Sequence, residues 1–146
     1  MSRASAMASP NAGYSGTPLV KKLGIRGGMT VQVIDAPAPY ERIVDGLPPD
    51  LRFVARTTTD TQFVHAFVTD PVRLQRALSA LREKLPANAV VWVSWPKKAS
   101  GIATDVDESA VRRIALPLGW VDVKVCAVDA TWSGLKLVVR KALRQR

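Results

Sequence analysis

The sequence predicts a single three-layer α/β domain with a mostly parallel sheet and a C-terminal antiparallel hairpin. Apolar runs such as 62–68 and 89–95 are typical of strands buried on both faces. They alternate with segments whose apolar residues recur at helical spacing, which indicates parallel strands joined by right-handed crossovers. The last two apolar segments alternate with a period of two, as expected for a strand pair with one wetter face.

The chain divides into a leader at 1–13, a domain at 14–141 and a basic tail at 142–146. The leader is small and polar and lacks the apolar core of a signal peptide, which predicts disorder. A first helix is expected over 19–23. Thr17 is its expected N-cap, Pro18 its first residue and Gly24 its C-terminal stop.

The next segments predict a β-α-β-β-α order up to the middle of the chain. Strands are expected at 30–35, 51–56 and 62–68, with a short helix at about 39–46. Asp70 and Pro71 are typical of the start of a longer helix. Its apolar stripe comprises Leu74, Ala77, Leu78, Leu81 and Leu85.

The strand at 89–95 should be central, because a continuous apolar run bounded by Pro96 is typical of a strand buried on both faces. Asp105 and Glu108 have the spacing of a capping box, so a helix should run from there to about Leu118, distorted by Pro117 and closed by Gly119. A hairpin should then form from 121–125 and 135–140. Val121, Val123 and Val125 are expected to share one face of it.

The composition is that of a globular protein with an excess of positive charge. Hydrophobic residues make up 47% and the formal net charge is +9, which favours an anionic small molecule, an acidic protein surface or nucleic acid as partner. The lone Cys126 allows no intrachain disulfide. No stretch has the length of a membrane span, and we expect a cytoplasmic protein. The sequence leaves the oligomeric state open.

Resemblances to two known protein families add to these predictions. The element order over residues 25–141 resembles the class I methyltransferase variant of the Rossmann-like fold, which also ends in an antiparallel strand pair. Short words resemble those of an uncharacterised bacterial family, domain of unknown function 3052, which implies a small, stand-alone cytoplasmic bacterial protein and no particular activity. These words are YSGTPL from Tyr14, KLGI from Lys22, WPKK-x-SG from Trp95, KVCAVD from Lys124 and TWSGL from Thr131.

The strongest candidate site is the loop after the strand at 89–95. Lys97 and Lys98 offer positive charge, and Ser100 and the backbone N–H of Gly101 offer further donors. Ligands of open α/β sheets bind beyond the carboxyl ends of the strands. The loop therefore predicts a site for a phosphate or carboxylate; the alternative is an ordinary solvated loop.

Two other segments should face this loop. Tyr14, Ser15 and Thr17 are predicted to form a lid with hydroxyl donors, although Thr17 also serves as a helix cap. Trp132, next to Ser133, is predicted either to stack on a ligand or to pack as part of a turn, and the packed alternative is preferred. Asp129 is expected to form that turn.

The resemblance to methyltransferases makes S-adenosylmethionine a candidate cofactor, but the expected loop is missing. A glycine-rich turn should follow the first strand, so that the backbone can approach the ligand. Residues 35–40 read DAPAPY, with no glycine and with two prolines that lack N–H donors. Arg56 stands where a ribose-binding carboxylate is expected. The cofactor therefore stays unassigned and is disfavoured.

The remaining chemistry-bearing residues have structural explanations. His65 lies in a buried strand, which predicts a neutral, hydrogen-bonded core histidine, and with no second histidine a histidine-based metal site is excluded. Cys126 is predicted to be a packed thiol. Asp105 and Glu108 are better explained as a cap than as a catalytic pair. No metal site and no catalytic residue is assigned.

Three functions follow from this sequence. The favoured one is a non-catalytic binding or regulatory domain that holds an anionic ligand or partner at the Lys97–Lys98 loop. The alternative is an enzyme related to S-adenosylmethionine-dependent methyltransferases with an atypical cofactor loop. A third is association with nucleic acid through the basic tail.

Overall fold

The computed structural model describes residues 16–144. The predictions for the leader at 1–13, for Tyr14 and Ser15, and for the end of the tail at 145–146 lie outside these residues. Within residues 16–144, no helix is long and apolar enough to cross a membrane.

Six strands and four α-helices make up the described chain. The strands are β1 (Thr30–Ile34), β2 (Arg52–Phe53), β3 (Phe63–Phe67), β4 (Val90–Pro96), β5 (Trp120–Ala127) and β6 (Trp132–Val139). The helices are α1 (Leu19–Leu23), α2 (Tyr40–Ile43), α3 (Pro71–Lys84) and α4 (Glu108–Ala115).

The strands form one sheet in the order β2-β1-β3-β4-β6-β5. The first four strands are parallel, and β6 is antiparallel to both β4 and β5. The predicted α/β domain with a terminal hairpin is confirmed. The strand order reverses between β1 and β3, because β2 lies on one side of β1 and every later strand on the other.

Helices cover both faces of the sheet and enclose two hydrophobic cores. One core joins α3 and α4 to the sheet through residues such as Leu78, Val111 and Trp120. The other joins α1 and α2 through Leu23 and Tyr40 to Trp92. Because β3 and β4 contribute to both cores, their side chains are apolar on both faces, which is why they read as continuous apolar runs.

The first strand pair and its helix are shorter than predicted. β2 has only two residues, both exposed, and α2 ends at Ile43 because Val44 is extended and Gly46 has a φ of +77°. At the open edge of the sheet β2 has one neighbour, so little packing extends it beyond its two paired residues.

Two predicted helix caps are wrong. Pro18, not Thr17, precedes α1, because its ψ of 144° keeps it outside the helix, and no side chain caps this end. The N-cap of α4 is Asp107, whose Oδ1 accepts from the N–H of Ala110 at 2.8 Å. Asp105 instead donates its backbone N–H to the carbonyl of Thr69, which holds it in the preceding loop.

Other predicted helix boundaries are confirmed. Asp70 caps α3 by accepting from the N–H of Arg73, and Pro71 is the first helical residue. Pro117 lies in a 3₁₀ turn that follows α4, and Gly119 closes it with a φ of +100°.

The predicted alternation in β5 is wrong after Asp122. The register slips between Asp122 and Lys124, so Val123 has no partner on β6. A bulge of this kind resets which face each later side chain takes. Val123 and Val125 are therefore about half exposed instead of sharing a buried face with Val121.

Candidate functional site

The carboxyl ends of the parallel strands and the β5–β6 turn lie at one edge of the sheet. Pro96 at the end of β4 pairs with Trp132 at the start of β6, and the N–H of Lys97 donates to the carbonyl of Thr131 at 2.8 Å. Asp129 forms the turn as predicted, since its Oδ1 accepts from the N–H groups of Thr131 and Trp132. We call this edge the ligand edge.

Lys97 ties the predicted loop to that turn. Its Nζ donates to the carbonyl of Asp129 at 2.8 Å. Ser100 donates its hydroxyl to the carbonyl of Lys97 at 2.7 Å, and Gly101 ends a 3₁₀ turn with a φ of +79°. Ser100 and Gly101 therefore hold the loop in shape, and within residues 16–144 no hydrogen bond or ion pair engages the side chain of Lys98.

A cavity of about 530 Å³ opens beside this loop. Lys97, Lys98 and Ser133 line one side of it. Three carboxylates also line it, from Asp105 in the loop before α4, from the N-cap Asp107 and from Glu108, the first residue of α4. Glu108 is paired with Arg112, and Asp107 caps the helix. The cavity therefore has walls of opposite charge, which suits a ligand with both charges better than a simple anion.

The structure separates the other predicted site residues from this cavity. Thr17 lines a different cleft, with Lys21 and Lys124. Trp132 is buried and packs edge-on against Phe67, with ring centroids 5.3 Å apart, so it is a core residue. Of the described candidates, only Lys97, Lys98 and Ser133 line one cavity.

One residue at the ligand edge has a backbone conformation that the sequence does not predict. Asp35, immediately after β1, has a φ of +56°, and it is the only described residue other than glycine with a positive φ. Its side chain is exposed. Asp tolerates this conformation better than most residues, but it still stores strain, and such residues cluster at functional sites. No sequence pattern predicts a positive φ at a residue other than glycine.

A buried polar network joins α2, β3 and β4. Tyr40 Oη and His65 Nδ1 are 2.7 Å apart, and His65 Nε2 and Ser94 Oγ are also 2.7 Å apart. Burial lowers the pKa of His65 to about 3 and raises the pKa of Tyr40 above its usual value. The neutral core histidine is therefore confirmed, and both its nitrogens are engaged away from Cys126.

Metal and thiol chemistry find no support in the described chain. Among residues 16–144, no three His, Cys, Asp or Glu side chains come together as metal ligands. Cys126 is half-buried, and burial raises the pKa of its thiol, which makes it a poor nucleophile.

Comparison with known proteins identifies the fold. No protein-family model and no curated protein sequence matches the chain, so the resemblance to domain of unknown function 3052 stays a prediction. Solved methyltransferase structures do match. A type 11 methyltransferase from Sulfolobus solfataricus has a TM-score of 0.63 at 11% identity, over 88% of this chain and 93% of that one.

Two further methyltransferases have the same architecture. An S-adenosylmethionine-dependent enzyme from Aquifex aeolicus has a TM-score of 0.58 at 16% identity, over 83% of this chain and 87% of that one. The magnesium protoporphyrin IX methyltransferase of Synechocystis was solved with bound S-adenosylmethionine. It has a TM-score of 0.53 at 11% identity, over 83% of this chain and 74% of that one. The chain thus has a methyltransferase-like Rossmann fold, and at these identities the likeness shows the fold alone.

Proposed function

We propose that this protein binds S-adenosylmethionine, or a related adenosyl compound, over the carboxyl ends of β1 and β3. The observation that carries the proposal is Asp35, a strained and exposed carboxylate at the point where the strand order reverses. Ligands of open α/β sheets bind in the crevice at this reversal. The fold supports the choice of ligand, since a structural neighbour was solved with S-adenosylmethionine bound.

The residues fit such a ligand through side chains rather than through backbone amides. The Asp35 carboxylate is an acceptor for an amine or for ribose hydroxyls. Pro37 and Pro39 supply no N–H, and α2 is a single turn, so the loop offers no glycine-rich cradle. Bound S-adenosylmethionine would supply a methyl group, but the described residues show no group that would activate an acceptor. The proposal is therefore one of binding.

Isothermal titration calorimetry with S-adenosylmethionine and S-adenosylhomocysteine tests this proposal. Asp35→Asn should weaken binding by roughly ten-fold or more, because a hydrogen bond to a charged group contributes about 1.5–3 kcal/mol. Asp60→Asn is the matched control, since Asp60 precedes β3 and lies at the opposite edge of the sheet. Absence of heat with both ligands, or equal losses in the two variants, would refute the proposal.

A second candidate function is the binding of an anionic ligand, without catalysis, at the Lys97–Lys98 loop. The unengaged ammonium of Lys98 favours it, whereas the three carboxylates that also line the 530 Å³ cavity oppose a ligand with negative charge alone. Thermal-shift screening with nucleotides and sugar phosphates tests it. Lys98→Ala should abolish any stabilisation by the ligand, whereas Lys97→Ala also breaks the bond to the Asp129 carbonyl and should lower the unliganded melting temperature. If no anion stabilises the wild type more than Lys98→Ala, this candidate is wrong.

A further inference from the structure

The β5–β6 hairpin carries two lysines side by side on one face. Lys124 and Lys136 are register partners across the antiparallel pair, and Lys136 is in turn the partner of Trp92 on β4. Directly paired residues point to the same face, here the α1 side of the sheet, with Cβ atoms about 5 Å apart. Lys124 Nζ donates to the carbonyl of Lys22 at 3.3 Å, and an anion beside the pair would offset the repulsion that remains between the like charges.

Further cations extend this pair along α1. A cavity of about 140 Å³ lies at the end of α1 near Gly24, and its charged lining residues are Arg26 and Lys136. A cleft of about 500 Å³ lies beside the body of α1, and its charged lining residues are Lys21, Lys22 and Lys124. No carboxylate lines either space. We call these five cations, Lys21, Lys22, Arg26, Lys124 and Lys136, the α1 basic face.

The α1 basic face lies apart from the C-terminal basic residues, although Lys124 likewise donates its Nζ to a backbone carbonyl, that of Lys22, at 3.3 Å. Arg140 donates to the carbonyl of Leu116, and Arg144 donates to the carbonyl of Val139. These guanidinium groups therefore bind the chain's own backbone at the end of α4 and β6. The face is also separate from the 530 Å³ cavity, which is lined by α4 on the other side of the sheet.

We propose that the α1 basic face binds the phosphate backbone of double-stranded nucleic acid without reading its sequence. A basic strip on one face, in a chain with a net charge of +9 and a pI of about 10.3, is the electrostatic footprint of such binding. Single-stranded binding uses exposed aromatic platforms. Among residues 16–144 the one exposed aromatic side chain is Phe53, on β2 at the far edge of the sheet. A duplex backbone is therefore the better fit.

Fluorescence anisotropy with labelled duplexes of about 20 base pairs, over about 50–200 mM salt, tests the proposal. The wild type should bind with micromolar affinity at the low-salt end. Lys124→Gln/Lys136→Gln should reduce the slope of log K against log salt by about 2, since each phosphate contact contributes about 0.9. DNA and RNA duplexes measured in parallel show which helix the face accepts.

Arg73→Gln/Arg76→Gln is the matched control. It removes the same charge from exposed positions on α3, across the sheet, and should leave the slope within experimental error. Equal slope losses in the two double variants would show that net charge alone drives binding, and would overturn the proposal. Lack of any binding at the lowest salt would overturn it as well.

Two further measurements separate duplex binding at the α1 basic face from a loss of fold stability and from binding of an acidic protein. Lys136→Glu turns the like-charge pair into an opposite-charge pair and keeps the bond from Lys124 to the carbonyl of Lys22, so it should lower nucleic-acid affinity while its melting temperature equals or exceeds that of the wild type. A fall in both would contradict the proposal. Poly-glutamate, a mimic of an acidic protein surface, should displace the duplex only weakly; displacement at equal charge concentration would assign the face to acidic proteins instead.

Discussion

His65 is the one histidine of the chain, and the fold keeps it neutral in the middle of β3. Tyr40 and Ser94 bind its two nitrogens, and Phe67 stacks on its ring with centroids 4.3 Å apart. This network connects the start of α2 to the strand that leads to the Lys97 loop. The hydroxyl oxygens of Tyr40 and Ser94 could accept from a protonated ring, but the fully buried site offers no solvent to stabilise its charge.

The pH dependence of stability should report this burial. The pKa of His65 is about 6.5 in the unfolded chain and about 3 in the folded one, so the unfolded state binds the proton first. The contribution of the neutral His65 ring to the free energy of unfolding is fully present above about pH 6.5 and is lost as the pH falls towards 3. Urea unfolding should show a loss of about 1.4 kcal/mol between pH 7.5 and 5.5. His65→Gln should flatten this dependence, and a flat wild-type profile would contradict the assignment.

Asp35 should show a conflict between stability and binding. Its φ of +56° costs little for glycine, so Asp35→Gly should leave the free energy of unfolding unchanged or raise it by about 1 kcal/mol. The same change should abolish adenosyl-ligand binding, because it removes the carboxylate. Calorimetric binding and urea unfolding measured on one preparation separate the two effects. A strongly destabilised Asp35→Gly would show that the carboxylate supports the fold instead.

At the scale of elements, short helices depend on the sheet and longer ones on their caps. α1 has five residues, too few to persist alone, and Trp92 holds it by donating its indole N–H to the carbonyl of Leu23 at 2.9 Å. α3 and α4 have both an aspartate cap and a buried face. The predicted range of α1 is nevertheless confirmed, because Pro18 and Gly24 limit it at both ends.

The N-cap of α4 is Asp107 in the structure, whereas the sequence predicts Asp105. Asp107→Ala should lower the free energy of unfolding by about 1 kcal/mol, because the N–H of Ala110 loses its acceptor. Asp105→Ala should change it by less than about 0.5 kcal/mol, since only the backbone of Asp105 is bonded. Urea denaturation of both variants measures the difference. Equal effects, or a larger effect at Asp105, would favour the capping box that the sequence predicts.

At the scale of the whole molecule, a single sheet joins the two cores. Trp92 reports on the α1 side and Trp120 on the α3–α4 side, and both are fully buried. β3 and β4 belong to both cores, so neither side should unfold alone. Tryptophan fluorescence and far-ultraviolet circular dichroism should give one common urea midpoint. Two separate midpoints would show that the sides are independent.

The whole molecule also separates three surfaces that the sequence could not resolve. The exposed Asp35 after β1, the cavity at Lys97 and the α1 basic face lie on different parts of the sheet. Lys124 and Lys136 are twelve residues apart in sequence, and only the antiparallel register places them side by side. The composition shows the excess of positive charge, but it does not show that these two lysines share one face of the sheet.

The sequence by itself determined the order of elements, the buried strands and the parallel sheet with its final hairpin. These follow from periodicity and from prolines, glycines and aspartates, whose effects are local. Tertiary structure alone decided the bulge at Val123, the cap at Asp107, the positive φ of Asp35 and the use of Lys97 as a tie to the turn. The bulge and the Lys97 tie depend on partners distant in sequence, and pairing energies over long separations leave no local pattern to read. The Asp107 cap is a local contact, but the sequence offers two aspartates for it, and only the bond from Asp105 to the distant Thr69 holds Asp105 outside that role.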